Sequence, residues 1–440
     1  MEKRIPIEEA FAEKKATAEV AGWVHNSREL GKIRFILVRD STGMIQITGV
    51  KGKVDDKVFD LMNKITRESV ISVQGKVVDS KQAPGGKEII PEEIIVLNSA
   101  EELPIDIPLN VKDESSTELP KRLDWRSLSL RTKKSNITFR VQAKIIEGMQ
   151  EWLNKNSFIQ VFTPCIMGVP SESGSEVFEI KYYDKKAFLR QDPQLHRQLT
   201  VLGGFEKIYD IGPSWRAEKS HTVKHLTEHR TCAVEMAFIN DEKDVMRVEE
   251  QVIISALKKV KEECGKELEE LGINLKIPTA PFPEINFPEV YTILEKMGKK
   301  IPKGEDLDTE GEKLLWEYVQ KKYPGVEFYF LNKFPHKIKP FYVKGEDKSD
   351  YARSTDLYFR GMEMSSGGQR EENYDKLIKN VKDRKMTLQS VEWFTKFFKY
   401  GAVPHGGFAL GIERITMILL GLNNIREAVL FPRDPERIVP

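Results

Sequence analysis

The chain has 440 residues, 40% hydrophobic and 31% charged, with a formal net charge of +1. That balance describes a folded globular protein rather than a disordered one. The length asks for two domains, and no apolar run approaches the ~18 residues of a membrane span. The near-neutral total excludes a uniformly basic nucleic-acid binder, so any such surface must gather its Lys and Arg on one face. The N-terminal MEKRIPIEEAFAEKK lacks the apolar core of a secretion signal, which places the protein in the cytoplasm. Cys165, Cys232 and Cys264 lie far apart without metal spacing and read as reduced and structural.

In chain order, residues 17–100 are rich in strand formers. Strands are expected at Thr17–Val24, Ile33–Val38, Met44–Thr48, Val70–Val78 and Glu88–Val96, with a helical stretch near Asp55–Ile65. A turn falls at Asp40-Ser41-Thr42-Gly43 and another at Ala83-Pro84-Gly85-Gly86. Five short strands and one helix suggest a small Greek-key barrel of OB type over residues 1–102, a pattern that a generic small β-domain also satisfies. Residues 103–135, with Pro104, Pro108 and Pro120 and weak periodicity, read as a hinge or linker. From 136 onward strands and helices mix. Val141, Ile145, Met149 and Trp152 share a helical face ahead of a strand-like FIQVF, and Val245, Val248, Val252 and Ala256 mark a second helix that Asp241 can cap. Strands dominate 157–239 and 326–370, which favours an antiparallel sheet flanked by helices, and so an α+β fold for residues 136–440.

Five segments carry chemistry. FIQVFTPCI ends at Thr163-Pro164 and is weak alone. YDIGPSWRAEKSHTVKHLTE (Tyr209–Glu228) reads as a hairpin carrying Arg216 on one arm and polar residues at its tip, an arrangement able to grip a triphosphate. GGFALGIER (Gly406–Arg414) is a glycine-rich strand that lets a planar base approach the backbone, with Arg414 at a helix start to cover the base or reach a phosphate. DLYFRGMEMSSGGQR (Asp356–Arg370) offers two carboxylates, Asp356 and Glu363, seven residues apart on a sheet. That suits magnesium, which takes few protein ligands and keeps phosphate oxygens and waters. QDPQLHRQ (Gln191–Gln198) holds the last set, with Gln194 and Arg197.

The first three of these segments, together and in this order, resemble motifs 1, 2 and 3 of the class II aminoacyl-tRNA synthetases, and the other two narrow the resemblance. Over nearly the whole chain they are similar to the aspartyl, asparaginyl and lysyl group, and within it to the archaeal-type aspartyl enzymes. The resemblance implies an N-terminal anticodon-binding OB domain, a catalytic domain on a mostly antiparallel sheet, and a homodimer built through motif 1 near Pro164. It implies L-aspartate and tRNA as partners, with ATP and Mg2+ in the reaction. ATP binding falls to Arg216, Ala217, Glu218, Lys224, His225, Leu226, Glu363, Gly411, Ile412, Glu413 and Arg414, with Arg216, Glu363 and Arg414 catalytic. Metal binding falls to Asp356, Glu363 and Ser366. The amino acid falls to Glu172, Gln194, Arg197, Arg216, Ser366 and Arg370, with Arg370 on the side-chain oxygen.

The pocket departs from the family at several positions. Arg197 stands where a Lys is usual, Asp192 where Ser is usual, Ser173 where Gly is usual, Ala233 where an acidic residue receives the α-ammonium, and His229 where an aromatic ring covers adenine. A cation is kept at 197, so an acidic side chain remains the better guest, since an amide would leave that buried charge unpaired. In the barrel, Arg28, Phe35 and Gln46 occupy positions of base-contacting residues. His25 and Pro84 match enzymes that charge asparagine tRNA as well as aspartate tRNA. The alternatives are an asparaginyl enzyme, a paralogue activating an aspartate-like molecule, and a catalytically inert nucleic-acid-binding protein.

Overall fold

In the computed structural model, which describes residues 4–12, 16–169, 176–217, 219 and 222–440, a short helix α1 (Ile7–Ala12) leads into the long strand β1 (Thr17–Leu30). β1 serves two neighbours. Its first half pairs antiparallel with β4 (Val70–Asp79) and its second half with β2 (Ile33–Arg39). The handover lies at Trp23, and a bulge inserts His25 between Val24 and Asn26 just beyond it, the kind of kink that lets a strand turn a barrel corner. β3 (Met44–Val50) and β5 (Lys87–Asn98) complete a closed barrel in the order β1-β2-β3-β5-β4, with α2 (Asp56–Met62) after β3. Alternate β-branched residues, Val20, Val24, Ile36, Val38, Ile45, Ile47, Ile71, Val73 and Ile89, fill the interior. All five expected strands are present, each longer than its apolar run.

Residues 103–132 group with the barrel: the chain forms two compact units, Met1–Thr132 and Lys133–Pro440. Ile105 and Ile107 are buried, His25 Nε2 donates to the Leu109 carbonyl at 2.9 Å, and Arg67 reaches the Ile107 carbonyl. Two short helices follow, α3 (Leu119–Asp124) and α4 (Arg126–Ser129).

The second unit begins with α5 (Lys133–Lys155), whose buried face is Ile137, Val141, Ile145, Met149 and Leu153, Leu153 lying inward where Trp152 was expected. FIQVF contributes only the two-residue β6 (Ile159–Gln160). A small sheet of β7 (Ile166–Met167), β8 (Glu179–Tyr182) and β9 (Lys185–Leu189) precedes α6 (Gln194–Leu202). The hairpin β10 (Lys207–Trp215) and β11 (Glu228–Ala237) leads to α7 (Glu242–Glu270), where the Asp241 side chain caps the Lys243 amide as expected. Then come β12 (Glu284–Asn286), α8 (Phe287–Lys296), α9 (Thr309–Lys322), β13 (Phe328–Asn332), β14 (Ser354–Phe359), β15 (Met362–Gln369), α10 (Tyr374–Asp383), α11 (Leu388–Thr395), β16 (His405–Gly411) and α12 (Ile412–Leu420). Eight strands form one sheet, β12-β13-β14-β15-β16-β11-β10-β6, antiparallel except at its two edge pairs. Among the described residues no helix is long and apolar enough to cross a membrane.

Candidate active site

The centre of this sheet, strands β14, β15, β16 and β11, carries α7 on one face and a cleft on the other. Cys232, Val234, Phe408, Leu410 and Leu357 are buried. His229, Thr231, Ala409, Gly411, Ser366, Glu363 and Asp356 line a cavity of about 340 Å³. Glu363 and Ser366 are three residues apart, so simple alternation would send them to opposite faces. The register resolves this. Leu357 faces Ser365 and Tyr358 faces Glu363, which leaves Met364 as an extra residue in a bulge, and both side chains reach the cleft. Asp356 sits directly across from Ser366.

The sequence-predicted site residues converge. Arg216, Lys224, His225, Leu226, Gln194, Asp356, Glu363, Ser366, Arg370, Gly411, Glu413 and Arg414 all line the same cleft. Arg216 leaves the end of β10, and its amide donates to the Thr227 carbonyl at 2.9 Å, closing the base of the hairpin loop. Arg414, in the first turn of α12, donates through Nη1 to the Glu363 carbonyl at 3.0 Å and to its carboxylate at 3.4 Å. Glu172 and Glu218 lie outside the described residues, as does Ser173. Three others sit differently from expectation. Ala217 is half-buried with its amide on the Glu176 carbonyl, Ile412 is buried, and Arg197 is fully buried behind the cleft wall.

The glycines of β16 also serve a different end from the one their spacing suggests. A Cβ on Gly407 would stand 1.9 Å from the Val234 carbonyl oxygen, and one on Gly406 would stand 2.6 Å from that of Gly368. These two residues are small so that β16 can lie close between β11 and β15. Gly411 is the glycine of this strand that lines the cleft.

At the inner end a buried polar network joins α6, β11 and β15. Arg370 Nε donates to Glu235 at 3.0 Å, and its Nη2 donates to Gln194 Oε1 and to the Gly407 carbonyl, both at 3.0 Å. Gln194 Nε2 donates to the other Glu235 oxygen at 2.8 Å. Arg197 Nη2 donates to Asp192 at 2.7 Å and to Gln194 Oε1 at 2.8 Å, while its Nε and Nη1 have no hydrogen-bond partner among the described residues. Glu235 was not found from sequence. It lies two residues beyond Ala233, and nothing in TCAVEMAF marks one carboxylate above another.

At the outer end Lys339 Nζ sits 2.8 and 3.1 Å from the two oxygens of Asp356. Burial raises the Asp356 carboxyl above its ordinary range, Lys339 opposes the shift, and Glu363 adds to it. Asp306 also lines the cleft. Lys339 and Asp306 had no sequence signal, each being one charge among several in a loop. Glu413 is buried and accepts the Arg230 amide on both oxygens at 3.1 and 3.0 Å. Burial nevertheless pushes its carboxyl up to about 7. The His229 ring is pushed down to about 4 by burial and by Arg216 and Arg414, so it is neutral at physiological pH.

In the first unit, Arg28 pairs with Phe35, Phe35 with Thr48, and Leu37 with Gln46, which puts all three anticodon candidates on the outer face of β1, β2 and β3. The Arg28 guanidinium lies 4.7 Å from the Phe35 ring centroid. Gln46 is buried and donates to Thr48 and Glu88. His25 is buried, accepting from Arg39 at 3.3 Å on the ring nitrogen not bound to Leu109, whereas Pro84 is exposed at the β4–β5 turn.

A closed five-stranded barrel and a mostly antiparallel sheet whose cleft gathers arginines beside carboxylates fit an aminoacyl-tRNA synthetase of the second class. Residues 118–435 match the family "tRNA synthetases class II (D, K and N)", and residues 18–97 match "OB-fold nucleic acid binding domain". The chain belongs to the class II tRNA synthetases of that group. It is 41% identical to the aspartate–tRNA(Asp) ligase of Pyrococcus furiosus, over 96% of each chain. It is 42% identical to the aspartate–tRNA(Asp/Asn) ligase of Archaeoglobus fulgidus, over 95% of each. Among solved structures, the asparaginyl-tRNA synthetase from Pyrococcus horikoshii complexed with asparaginyl-adenylate is similar over 100% of both chains, with a TM-score of 0.93 and 34% identity.

Proposed function

We propose that the chain is an aspartate–tRNA ligase, which activates L-aspartate with ATP and transfers it to the 3′ end of aspartate tRNA. The observation that supports this is the presence of Arg216, Glu363, Arg370 and Arg414 in one cleft, together with relatives of that activity at 41–42% identity. The substrate carboxylate attacks the α-phosphorus in line, and pyrophosphate leaves. The 3′-hydroxyl of the terminal adenosine then attacks the acyl carbon, and AMP leaves. No nucleophilic side chain is needed, so the protein's work is positioning and charge neutralisation. Arg216 holds the carboxylate and α-phosphate, Lys224 and His225 meet the terminal phosphates, and Arg414 with the neutral His229 frames adenine. Arg370 has a free role to play: among the described residues its Nη1 donates to no protein acceptor, and it is the group for the aspartate side chain.

The donor set at the outer end fits magnesium. Asp356, Glu363 and the Ser366 hydroxyl supply oxygen only, and the two carboxylates raise one another's energy in a way a cation relieves. Among the described residues no cluster of His, Cys, Asp and Glu could hold a metal by itself, which leaves phosphate oxygens and waters to complete its shell. Bound there, magnesium would neutralise charge on the triphosphate.

The barrel reads the anticodon by stacking on Phe35 and Arg28 and by edge contacts to Gln46. Ile159, Phe162 and Ile166, 51%, 84% and 47% exposed around Pro164, are the apolar surface through which motif 1 joins two copies. A second reading, asparagine activation, has one observation behind it: Asp192 already neutralises Arg197. Amino-acid-dependent pyrophosphate exchange, run with aspartate and asparagine side by side, tests the assignment. Exchange with asparagine alone overturns it. Charging of asparagine tRNA, for which His25 and Pro84 speak, is tested by aspartylating both tRNAs with the purified enzyme.

A further inference from the structure

We infer that Asp192 receives the α-ammonium of the amino acid, in place of a carboxylate at position 233; this rests on the aspartate-activating reading above. Ala233 lies on the strand face of His229 and Thr231, both of which line the cleft, and offers no acceptor. Five described carboxylates line the cavity: Asp192, Asp306, Asp356, Glu363 and Glu413. Asp356 belongs to Lys339 and Glu363 to Arg414, and the charge of Glu363 is felt at Asp306, so these three mark the phosphate end. Glu413 spends both oxygens on the Arg230 amide. Glu235, deeper still, is fully buried, with one oxygen on Arg370 and the other shared between Gln194 and Arg370.

Asp192 is the one left at the amino-acid end. Its side chain is 17% exposed, its Oδ1 is fixed by Arg197 at 2.7 Å, and among the described residues its Oδ2 has no protein donor. The position suits the task. Gln194 Oε1 accepts from Arg197 and from Arg370, so Asp192 and Arg370 stand on two sides of one shared acceptor. A guest spanning them presents its ammonium to Asp192 and its side-chain carboxylate to Arg370. Arg197 then acts through Asp192 as a positioning residue, its guanidinium holding the carboxylate in place.

The test compares L-aspartate with succinate, which has the two carboxylates and lacks the amino group. Aspartate is measured by its KM in pyrophosphate exchange and succinate by its inhibition constant. Asp192→Asn keeps the Oδ1 acceptor for Arg197 and removes the charge. It is expected to weaken aspartate about 10- to 100-fold, the effect of one charge-assisted hydrogen bond, while succinate stays within a factor of about two. Adding Ala233→Asp to that variant restores an anion on the same strand face and is expected to recover most of the loss. If Asp192→Asn does not fold, Asp192→Asn with Arg197→Gln removes the buried cation together with its counter-ion and carries the same comparison. Equal weakening of aspartate and succinate makes Asp192 merely structural and overturns the inference, as does no change in either. Failure of the unaltered enzyme to exchange with aspartate overturns the underlying assignment instead, and is seen before any variant is made.

Discussion

Glu249 is a carboxyl group buried from solvent, with one hydrogen-bond partner among the described residues. It lies on α7 beneath β15, fully buried, taking the Ser365 hydroxyl on one oxygen, while the other has no hydrogen bond among the described residues. Burial first, then the charges of Asp356 and Glu250, push its carboxyl up to about 8, with Ser365 opposing. In the unfolded chain it releases its proton near the ordinary value of about 4.5. Between those limits the folded state binds more protons than the unfolded one, so stability falls as pH rises and levels off above about 8. Each pH unit in the window costs ~1.4 kcal/mol, so by pH 7.5 this one group removes on the order of 4 kcal/mol relative to pH 4.5. Glu249→Gln keeps the shape and an acceptor for Ser365, and it carries no proton to lose. The assay is the urea midpoint of the Lys133–Pro440 unit in the full chain, followed from pH 5 to 8.5 for both proteins. Glu413, which is not among the charges acting on Glu249, titrates in both and cancels in the difference. The variant is expected to gain on the unaltered chain steadily with pH, by roughly one to several kcal/mol at the alkaline end. Parallel curves would show that Glu249 ionises freely in the fold and would refute the reasoning.

Gly407→Ala drives a methyl group against the Val234 carbonyl at 1.9 Å and the Glu235 carboxylate at 2.6 Å, so β11 and β16 must part. The expected loss is about 3 kcal/mol or more, read as a lowered thermal midpoint or insoluble protein. His229→Phe is expected to hold the ATP KM within about threefold from pH 6 to 8, because the native ring is already neutral there; His229→Ala raises it about 10-fold by removing the stacking surface. Glu363→Gln is expected to lower the exchange rate by about 10² or more and to raise the magnesium concentration for half-activity, measured by titrating metal at saturating ATP. Phe35→Ala is expected to raise the KM for tRNA about 10- to 100-fold in aminoacylation, a loss that stays out of the tRNA-independent exchange assay.

The barrel was legible because its interior alternates. Val20, Ile36, Ile45 and Ile71 stand in runs of period two, and the turns at residues 40–43 and 83–86 between strands are built of residues that favour turns. FIQVF has the same composition, yet only Ile159 and Gln160 pair, because a parallel edge beside β10 holds two residues before Thr163 is drawn away to Arg190 and Asp210. In the cleft, residues that sit in a motif could be named: Arg216, Glu363, Arg370 and Arg414. Those that act by meeting a partner from elsewhere in the chain could not. Lys339 matters through Asp356, 17 positions away, and Glu235 through Arg370, 135 positions away. A linear pattern records which side chains exist and not which oppositely charged ones the register will bring together. The bulge at Met364 is the sharpest case. It alone reconciles Glu363 and Ser366 on one face, and no residue type at that position announces it.

These pairings bear on how the cleft selects. Arg197 faces Asp192, Arg370 faces Glu235, Lys339 faces Asp356 and Arg414 faces Glu363, so each of four cations already has a carboxylate. A guest therefore exchanges partners rather than adding to bare charge. On the proposed function, a phosphate approaching Arg414 would compete with Glu363, and the carboxylate so released would be the one offered to a divalent ion. At the buried end the pairs are nearly out of water, where the attraction within each is strongest and where a charge left alone costs most. A side chain that brings no charge there gains little from Arg370, since its Glu235 partner stays in place whether or not the guest arrives. One that brings a negative charge gains only if its second contact, at the amino end, holds it in register with Arg370 Nη1. Selectivity in such a site comes from satisfying both ends at once.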